Sequence, residues 1–334
     1  MQNPKSNGKR VLVTGGAGFI GSHVVDACIA AGYDVAVVDN LSTGRMANLN
    51  PAARFYEIDI RSDDLDAVFR QEKPDIVNHH AAQMSVPDSV RDPKFDADVN
   101  VLGFLNLMEC AIRHQVKKTI FISSGGAIYG EADIYPTPGT YPPKPLSPYA
   151  ITKLIAEHYL QFYRHQYGMD YTVMRYANIY GPRQIPKGEA GVVAIFIENL
   201  LAGRPSVINA YPDEPRGMER DYCFVQDVAR ANILVMAPGN TTGEVYNIGT
   251  GIPTKTADLY DIIYNAYHAA NIHLHPNHVQ DPTLAAPRRE PARKGDLTRS
   301  CLNIEKARSM LSWKPSVNLI DGIRKTLAWY QTDR

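Results

Sequence analysis

Apolar and polar positions repeat along the first half of the chain in a strand–helix rhythm. Val11-Leu12-Val13 is a short apolar run followed by a glycine-rich turn. From Ile20 to Ala31 apolar residues recur at helical spacing and stop at Gly32, and Val35 to Val38 is a second apolar run ending in Asp39. Strand, helix and strand within about 30 residues make a βαβ unit with parallel strands. The rhythm continues with a strand over Arg54–Ile58, a helix capped by Ser62 and running to about Gln71, and a strand over Asp75–Asn78. One long helix is predicted over Asp96–His114, then a strand over Thr119–Ser123. Ser147-Pro148 opens another long helix, because Ser caps well and Pro suits the first helical position. Gly168 ends that helix after Tyr167, and Tyr171–Arg175 is the next strand. Such alternation predicts an α/β fold, a Rossmann doubly wound parallel sheet with helices on both faces.

The rhythm breaks after Tyr180, where segments rich in Pro, Gly and Arg appear at 181–191, 211–220 and 282–295. Residues 1–180 are therefore expected to form the dinucleotide-binding domain, with return excursions to its sheet at about 220–250. Residues 181–334 should form mainly a smaller C-terminal lobe for the substrate.

Composition narrows the classes. Lys plus Arg and Asp plus Glu balance at 35 each, so no global field recruits nucleic acid or an anionic membrane. No apolar run is long enough to span a bilayer, and the polar start lacks the apolar region of a signal peptide. Cys28, Cys110, Cys223 and Cys301 are far apart without a CxxC. Reduced, buried thiols in a cytoplasmic protein are expected, with no metal site.

Thr14-Gly15-Gly16-Ala17-Gly18-Phe19-Ile20-Gly21 sits between the first strand and the first helix and satisfies both G-x-G-x-x-G and G-x-x-G-x-x-G. Glycines let the backbone approach a pyrophosphate, and the helix N-terminus presents N–H groups and a positive dipole end to it. Asp39, at the end of the second strand, can accept both ribose hydroxyls and would repel a 2′-phosphate, which favours NAD; Arg45 is a mild counter-signal.

Tyr149 and Lys153 stand four residues apart on one helical face. A phenol is a poor base at its usual pKa of about 10. A nearby ammonium, the positive helix end and a cationic nicotinamide all favour the phenolate. Ser123 and Ser124 end a strand where ligands gather in doubly wound sheets, and a hydroxyl there can hold the reacting oxygen.

Together with Asp39-Asn40-Leu41-Ser42-Thr43-Gly44, Asp59-Ile60, His80-Ala81-Ala82, Asn100-Val101-Leu102-Gly103, Ser123–Gly130, Ser147–Lys153 and Arg175–Arg183, these pieces resemble the extended short-chain dehydrogenase/reductase family in its order. Within that family they resemble the UDP-glucose 4-epimerase-like branch. The resemblance implies NAD as cofactor and a nucleotide sugar, most simply a UDP-sugar, as substrate. It implies Ser124, Tyr149 and Lys153 as the catalytic group, with Ser123 as the alternative hydroxyl because the following loop looks one residue longer. It implies cofactor contacts from Gly15, Gly18, Phe19, Ile20, Gly21, Asp39, Asn40, Ser42, Thr43, Gly44, Asp59 and Ile60. Ala81, Ala82, Gln83, Asn100, Ser123, Tyr149, Lys153 and Tyr176 complete that set. For the substrate it implies Ser85, Val86, Ser124, Tyr149, Asn178, Val192, Val193, Val207, Asn209, Arg220, Arg293, Asp296 and Ser300. It also implies a homodimer, paired through the helices at 96–114 and 149–167.

Two departures bear on substrate. The stretch Ala210–Glu219 lacks the Gly-Asp-Gly turn that often precedes the Arg-Asp pair, which loosens the assignment of the base. Ser300 stands where some members carry a bulky tyrosine beside the sugar C2 substituent, which leaves room for an N-acetyl group. A 4,6-dehydratase would need an acidic pair after the catalytic hydroxyl, where Gly125-Gly126 stand, and a decarboxylase is weakened likewise. An epimerase acting elsewhere on a sugar stays open, as does a non-catalytic NAD-binding regulator; Tyr149 and Lys153 argue for an enzyme.

Overall fold

The computed structural model describes residues 8–186, 191–237, 241–274, 282–293 and 295–332. In chain order the Rossmann-like part begins with strand β1 (Arg10–Thr14), helix α1 (Phe19–Ala30), β2 (Asp34–Asp39) and β3 (Arg54–Glu57). It continues with α2 (Leu65–Glu72), β4 (Ile76–His79), α3 (Val86–Arg91) and α4 (Pro93–Ala97). A π-helical turn over Asp98–Gly103 leads into α5 (Phe104–Arg113), β5 (Lys118–Ser124), α6 (Pro148–Tyr167) and β6 (Asp170–Tyr176). Then come β7 (Asn178–Tyr180), α7 (Val192–Leu201), β8 (Val207–Ala210), β9 (Glu219–Phe224), α8 (Val225–Met236) and β10 (Glu244–Ile248). The remainder is β11 (Pro253–Lys255), α9 (Thr256–Leu274), α10 (Pro282–Ala285), β12 (Arg288–Pro291), β13 (Arg299–Ser300), α11 (Glu305–Leu311) and α12 (Leu319–Thr332).

Seven strands form the main sheet in the order β10-β6-β5-β4-β1-β2-β3, every neighbouring pair parallel. The order reverses between β1 and β4, and the crevice at the carboxyl ends of these strands is where such sheets hold ligands. Strand alternation explains the two cores. Val11, Val13, Val35, Val37, Ile120 and Met174 face α1 and α8, whereas Leu12, Ala36, Val38, Val77, Phe121 and Val173 face α2, α5 and α6. A third core in the C-terminal part joins α7, α9 and α12 around Phe196, Tyr260 and Leu327. The four cysteines are free and buried.

The helix α6 begins and ends where the sequence places it. Ser147 Oγ accepts from Ala150 N at 3.3 Å and Gly168 closes the helix at φ 71°. Two elements differ. Ser62 accepts from Asp64 N in a preceding turn, so α2 starts at Leu65. The expected single helix over 96–114 is broken into the end of α4, the π turn and α5. The wider turn brings Asn100 inward, where its amide meets the Gln83 carbonyl at 3.0 Å and Asp96 at 3.1 Å.

Candidate active site

The turn after β1 makes the floor. Gly15 adopts φ +68°, and a Cβ there would sit 2.6 Å from Ala81 N. A Cβ on Gly21 would overlap the Gly15 carbonyl oxygen, so the turn and the first coil of α1 can touch only as glycines. No side chain caps α1 and no acidic residue lies in its first turn, which leaves its positive end facing the crevice. At the end of β2, Asp39 is buried and fixed by Ala17 N at 3.0 Å and Leu41 N at 2.8 Å. Burial pushes its carboxyl pKa up, and these backbone donors oppose the rise. Asn40 donates to Asp59 at 2.7 Å, and Arg61 beside it holds the Asp59 carboxyl well below its ordinary pKa. A pyrophosphate cradle beside a fixed carboxylate fits a dinucleotide with free ribose hydroxyls.

A cavity of about 500 Å³ opens over this floor and runs toward the C-terminal part. Its cofactor side is bordered by Gly15, Gly18, Phe19, Ile20, Gly21, Asp39, Asn40, Ser42, Thr43, Asp59, Ile60, Ala81 and Ala82. Gly44 lies behind that wall, packed on Asp39. Gln83 and Asn100 also stand outside the wall and bind each other, with Gln83 N donating to Asn100 Oδ1 at 2.9 Å. Tyr176 borders the cavity while its hydroxyl accepts from Asn232 Nδ2 of α8 at 2.6 Å.

The first turn of α6 brings Tyr149 to the cavity, and Lys153 follows one turn later. Ser89 Oγ of α3 accepts from Tyr149 N at 3.2 Å, so two hydroxyls, Ser147 and Ser89, hold this helix end. Ser124 stands beside the Tyr149 phenol and acts to lower its pKa. The Lys153 ammonium, 5% exposed, donates to the Ile122 carbonyl at 3.0 Å and lies 5.9 Å from the centre of the Tyr149 ring. Burial pushes the phenol pKa up to about 12 and the Lys153 pKa down to about 8. In the cofactor-free protein burial raises the phenol most, the Asp96 carboxylate adds to the rise, and Ser124 opposes it.

Ser123 also borders the cavity, but its hydroxyl donates to Glu157 at 2.5 Å. On the far side the wall is made by Val86, Asn178, Val192, Val193, Arg220 and Asp296. Ser85 instead caps α3, Val207 lies on an exposed strand position, and Ser300 sits behind Gly126. The Asn209 side-chain carbonyl accepts from Arg293 at 3.1 Å, and neither residue borders the cavity. Arg293 shares a tight turn with Asp296 through Asp296 N and the Arg293 carbonyl at 3.1 Å; Lys294 between them lies outside the described residues.

The sequence reading missed several wall residues, among them His80, Leu146, Gln184 and Tyr222. His80 alone carried a signal, since it stands at the carboxyl end of β4 next to Ala81. Among the described residues, no group of three or more His, Cys, Asp or Glu is placed to hold a metal ion, and no helix is long and apolar enough to cross a membrane.

A glycine cradle at the switch point, with a Tyr–Lys–Ser group at its open end, defines a nicotinamide-dinucleotide enzyme of the doubly wound class. The sequence profile of the NAD dependent epimerase/dehydratase family matches residues 11–249, and the chain belongs to that family; its cofactor is NAD. The fold resembles the crystal structure of UDP-glucose 4-epimerase with UDP-glucose from Thermotoga maritima, at 46% identity and a TM-score of 0.88 over 96% of this chain and 98% of that one. It also resembles Thermus thermophilus UDP-glucose 4-epimerase in complex with NAD, at 41% identity and a TM-score of 0.87 over 97% of this chain and 100% of that one. The UDP-glucose 4-epimerase of Mycolicibacterium smegmatis is 43% identical, covering 96% of this chain and 98% of that protein.

Proposed function

We propose that the protein is an NAD-dependent nucleotide-sugar 4-epimerase that interconverts UDP-glucose and UDP-galactose through a transient 4-keto sugar. The observation that carries this reading is one cavity whose wall holds the glycine cradle, Tyr149 with Ser124, and Arg220 together. NAD, when bound, supplies a two-electron acceptor that is restored within each cycle, so none is consumed. Gly15, Gly18, Gly21 and Asp39 would hold it. Tyr149 takes the proton of the sugar C4 hydroxyl and later returns it. Ser124 orients the reacting oxygen, and Lys153 supports the charge on the phenol. Arg220 faces the diphosphate, because a guanidinium matches phosphate oxygens in pairs. Gly125 and Gly126 place no acid or base after Ser124, which argues against elimination of water from the sugar.

The test is incubation with UDP-galactose without added NAD, followed by product NMR. UDP-glucose should appear, and its absence from a folded, NAD-containing preparation overturns the reading. Two finer readings belong with it. The wall carries no side chain at Gly126, and the residue behind it is the small Ser300, which supports acceptance of UDP-N-acetylglucosamine and its galacto epimer as well. Exposed Val90, Phe95, Leu102, Ile151 and Phe162 on α3, α4, the π turn and α6 support a homodimer, and sedimentation would measure it. Four buried thiols, all free, favour the cytoplasm.

A further inference from the structure

Behind the catalytic group lies a buried charge pair that the reaction as proposed does not use. Glu157 on α6 and Arg175 on β6 meet at 2.6 Å, and their side chains are only 6% and 7% exposed. The pair is saturated with partners. Arg175 Nε also donates to Glu157 at 3.1 Å, while its other terminal nitrogen donates to Tyr129 Oη at 2.9 Å and to the Gly139 carbonyl at 3.1 Å. Tyr129 in turn donates to Asn247 of β10 at 2.7 Å. Glu157 accepts the Ser123 hydroxyl at 2.5 Å. A buried pair of this kind is weak evidence for net stability, since desolving two ions offsets most of their attraction. Its placement is the informative part. Tyr149, Lys153 and Glu157 stand at i, i+4 and i+8, on one face of α6.

We propose that Glu157, clamped by Arg175, is a positioning residue for the catalytic centre: it takes the Ser123 hydroxyl, so that the neighbouring Ser124 is the one left to face Tyr149, and it sets a negative charge one helical turn behind Lys153. The first half follows from strand geometry. Ser123 and Ser124 are successive residues of β5, so their side chains leave the strand on opposite sides. Fixing Ser123 on Glu157 fixes the rotation of the strand end, and with it the hydroxyl that meets the phenol. Tyr129 and Gly139, both held by Arg175, extend the same clamp to the loop that follows β5.

The second half concerns charge. Lys153 is buried, which lowers its pKa, and nearby carboxylates offset part of that loss. Asp96 from α4 and Glu157 from α6 favour the charged form. His79 at the end of β4 and His80 just after it face the same ammonium and are held neutral by burial, and Tyr149 lies alongside as a neutral phenol. Glu157 itself faces Arg175, Tyr129, Ser123 and Tyr171. Removing the Glu157 charge therefore lets Lys153 lose its proton at lower pH.

This inference rests on the assignment of Tyr149, Lys153 and Ser124 to the reaction, and the test separates the two. Glu157→Gln keeps size and an acceptor oxygen while removing the charge. Its kcat on UDP-galactose should fall about tenfold or more, with KM within about twofold, because misplaced reacting groups slow chemistry more than binding. The alkaline fall of kcat should move to lower pH. Lysine labelled with 13C at Cε, with the Lys153 resonance identified by Lys153→Arg, should titrate at lower pH in the variant whether or not the protein turns over. A folded Glu157→Gln protein that holds NAD and keeps the parent kcat, pH profile and lysine titration overturns the proposal. If that variant does not fold, Ser123→Ala decides, since it leaves the ion pair intact. A several-fold loss of kcat at unchanged KM supports the proposal, and the parent kcat overturns it. A parent protein without epimerase activity sinks the function proposed above, while the lysine titration still judges Glu157.

Discussion

Tyr149 is raised to about 12 by burial, so the phenol of the cofactor-free protein stays protonated throughout the neutral range. Proton transfer from the sugar hydroxyl needs that oxygen and no other feature of the ring. Tyr149→Phe should therefore lower kcat by roughly 10²- to 10⁴-fold, the usual worth of a positioned base, and leave the melting temperature and NAD content unchanged. Product NMR against a parent control reads the first, and absorbance after denaturation reads the NAD. Parent-like turnover would remove Tyr149 from the mechanism. Lys153 makes a separate prediction about stability. Its native pKa of about 8 lies below its ordinary 10.5, so between these values the unfolded chain binds more protons than the native one. Stability of the cofactor-free protein should accordingly rise with pH through that window, by up to about 3 kcal/mol from this group. The charged lysine penalises the fold fully below pH 8. Lys153→Met should flatten the rise, and chemical denaturation at pH 7.5 and 10 for both proteins measures it; equal slopes would contradict the burial argument.

At the scale of elements, the legible features were those whose signal is local. The glycine turn, the Ser147 cap, the Gly168 stop and the strand rhythm each depend on a few adjacent residues, and the structure places them where the pattern does. The π turn over Asp98–Gly103 was not legible, because its inward Asn100 meets Gln83, 17 residues back in the chain, as well as Asp96 one turn before it. The Ser62 turn failed for the opposite reason, since a local cap signal served a turn and the helix began three residues on. Of the candidate site, residues on the cradle and the α6 face were readable from motif spacing. The positions behind the wall, Asn209 and Arg293 among them, depend on how β8 meets β12, a long-range pairing. Two substitutions test the readable part. Gly21→Ala would drive a methyl group into the Gly15 carbonyl, so NAD should no longer co-purify and the melting temperature should fall. Ser147→Ala removes one of two hydroxyls holding the start of α6. It should cost about 1 kcal/mol and, because Tyr149 lies two residues on, reduce kcat as well. A loss of stability with no loss of kcat would show that Ser89 alone holds the helix end.

Across the whole molecule, the change of rhythm near residue 180 does not coincide with the edge of the core. The face of the sheet that carries α1 is completed by α8, whose Val228, Ala231, Ile233, Val235 and Met236 are buried in the same cluster as Val24 and Val25. Strand β10 then adds to β6, and Leu302, Ile304 and Trp313 from the last part of the chain join that cluster too. The cofactor half of the cavity is thus built on a sheet that cannot bury one of its faces without residues beyond 220. A chain ending at Tyr180 would expose the α1 face and leave β6 as an unpaired edge. It should show no cooperative thermal transition by circular dichroism and should bind a hydrophobic dye, although every glycine of the cradle is present. Cooperative melting of that fragment would mean that α8 is a cover rather than part of the core. The interleaving also suits the chemistry. Tyr176 ends β6 and its hydroxyl is held by Asn232 of α8, so the element that completes the core also fixes a wall of the cavity where cofactor and sugar would meet.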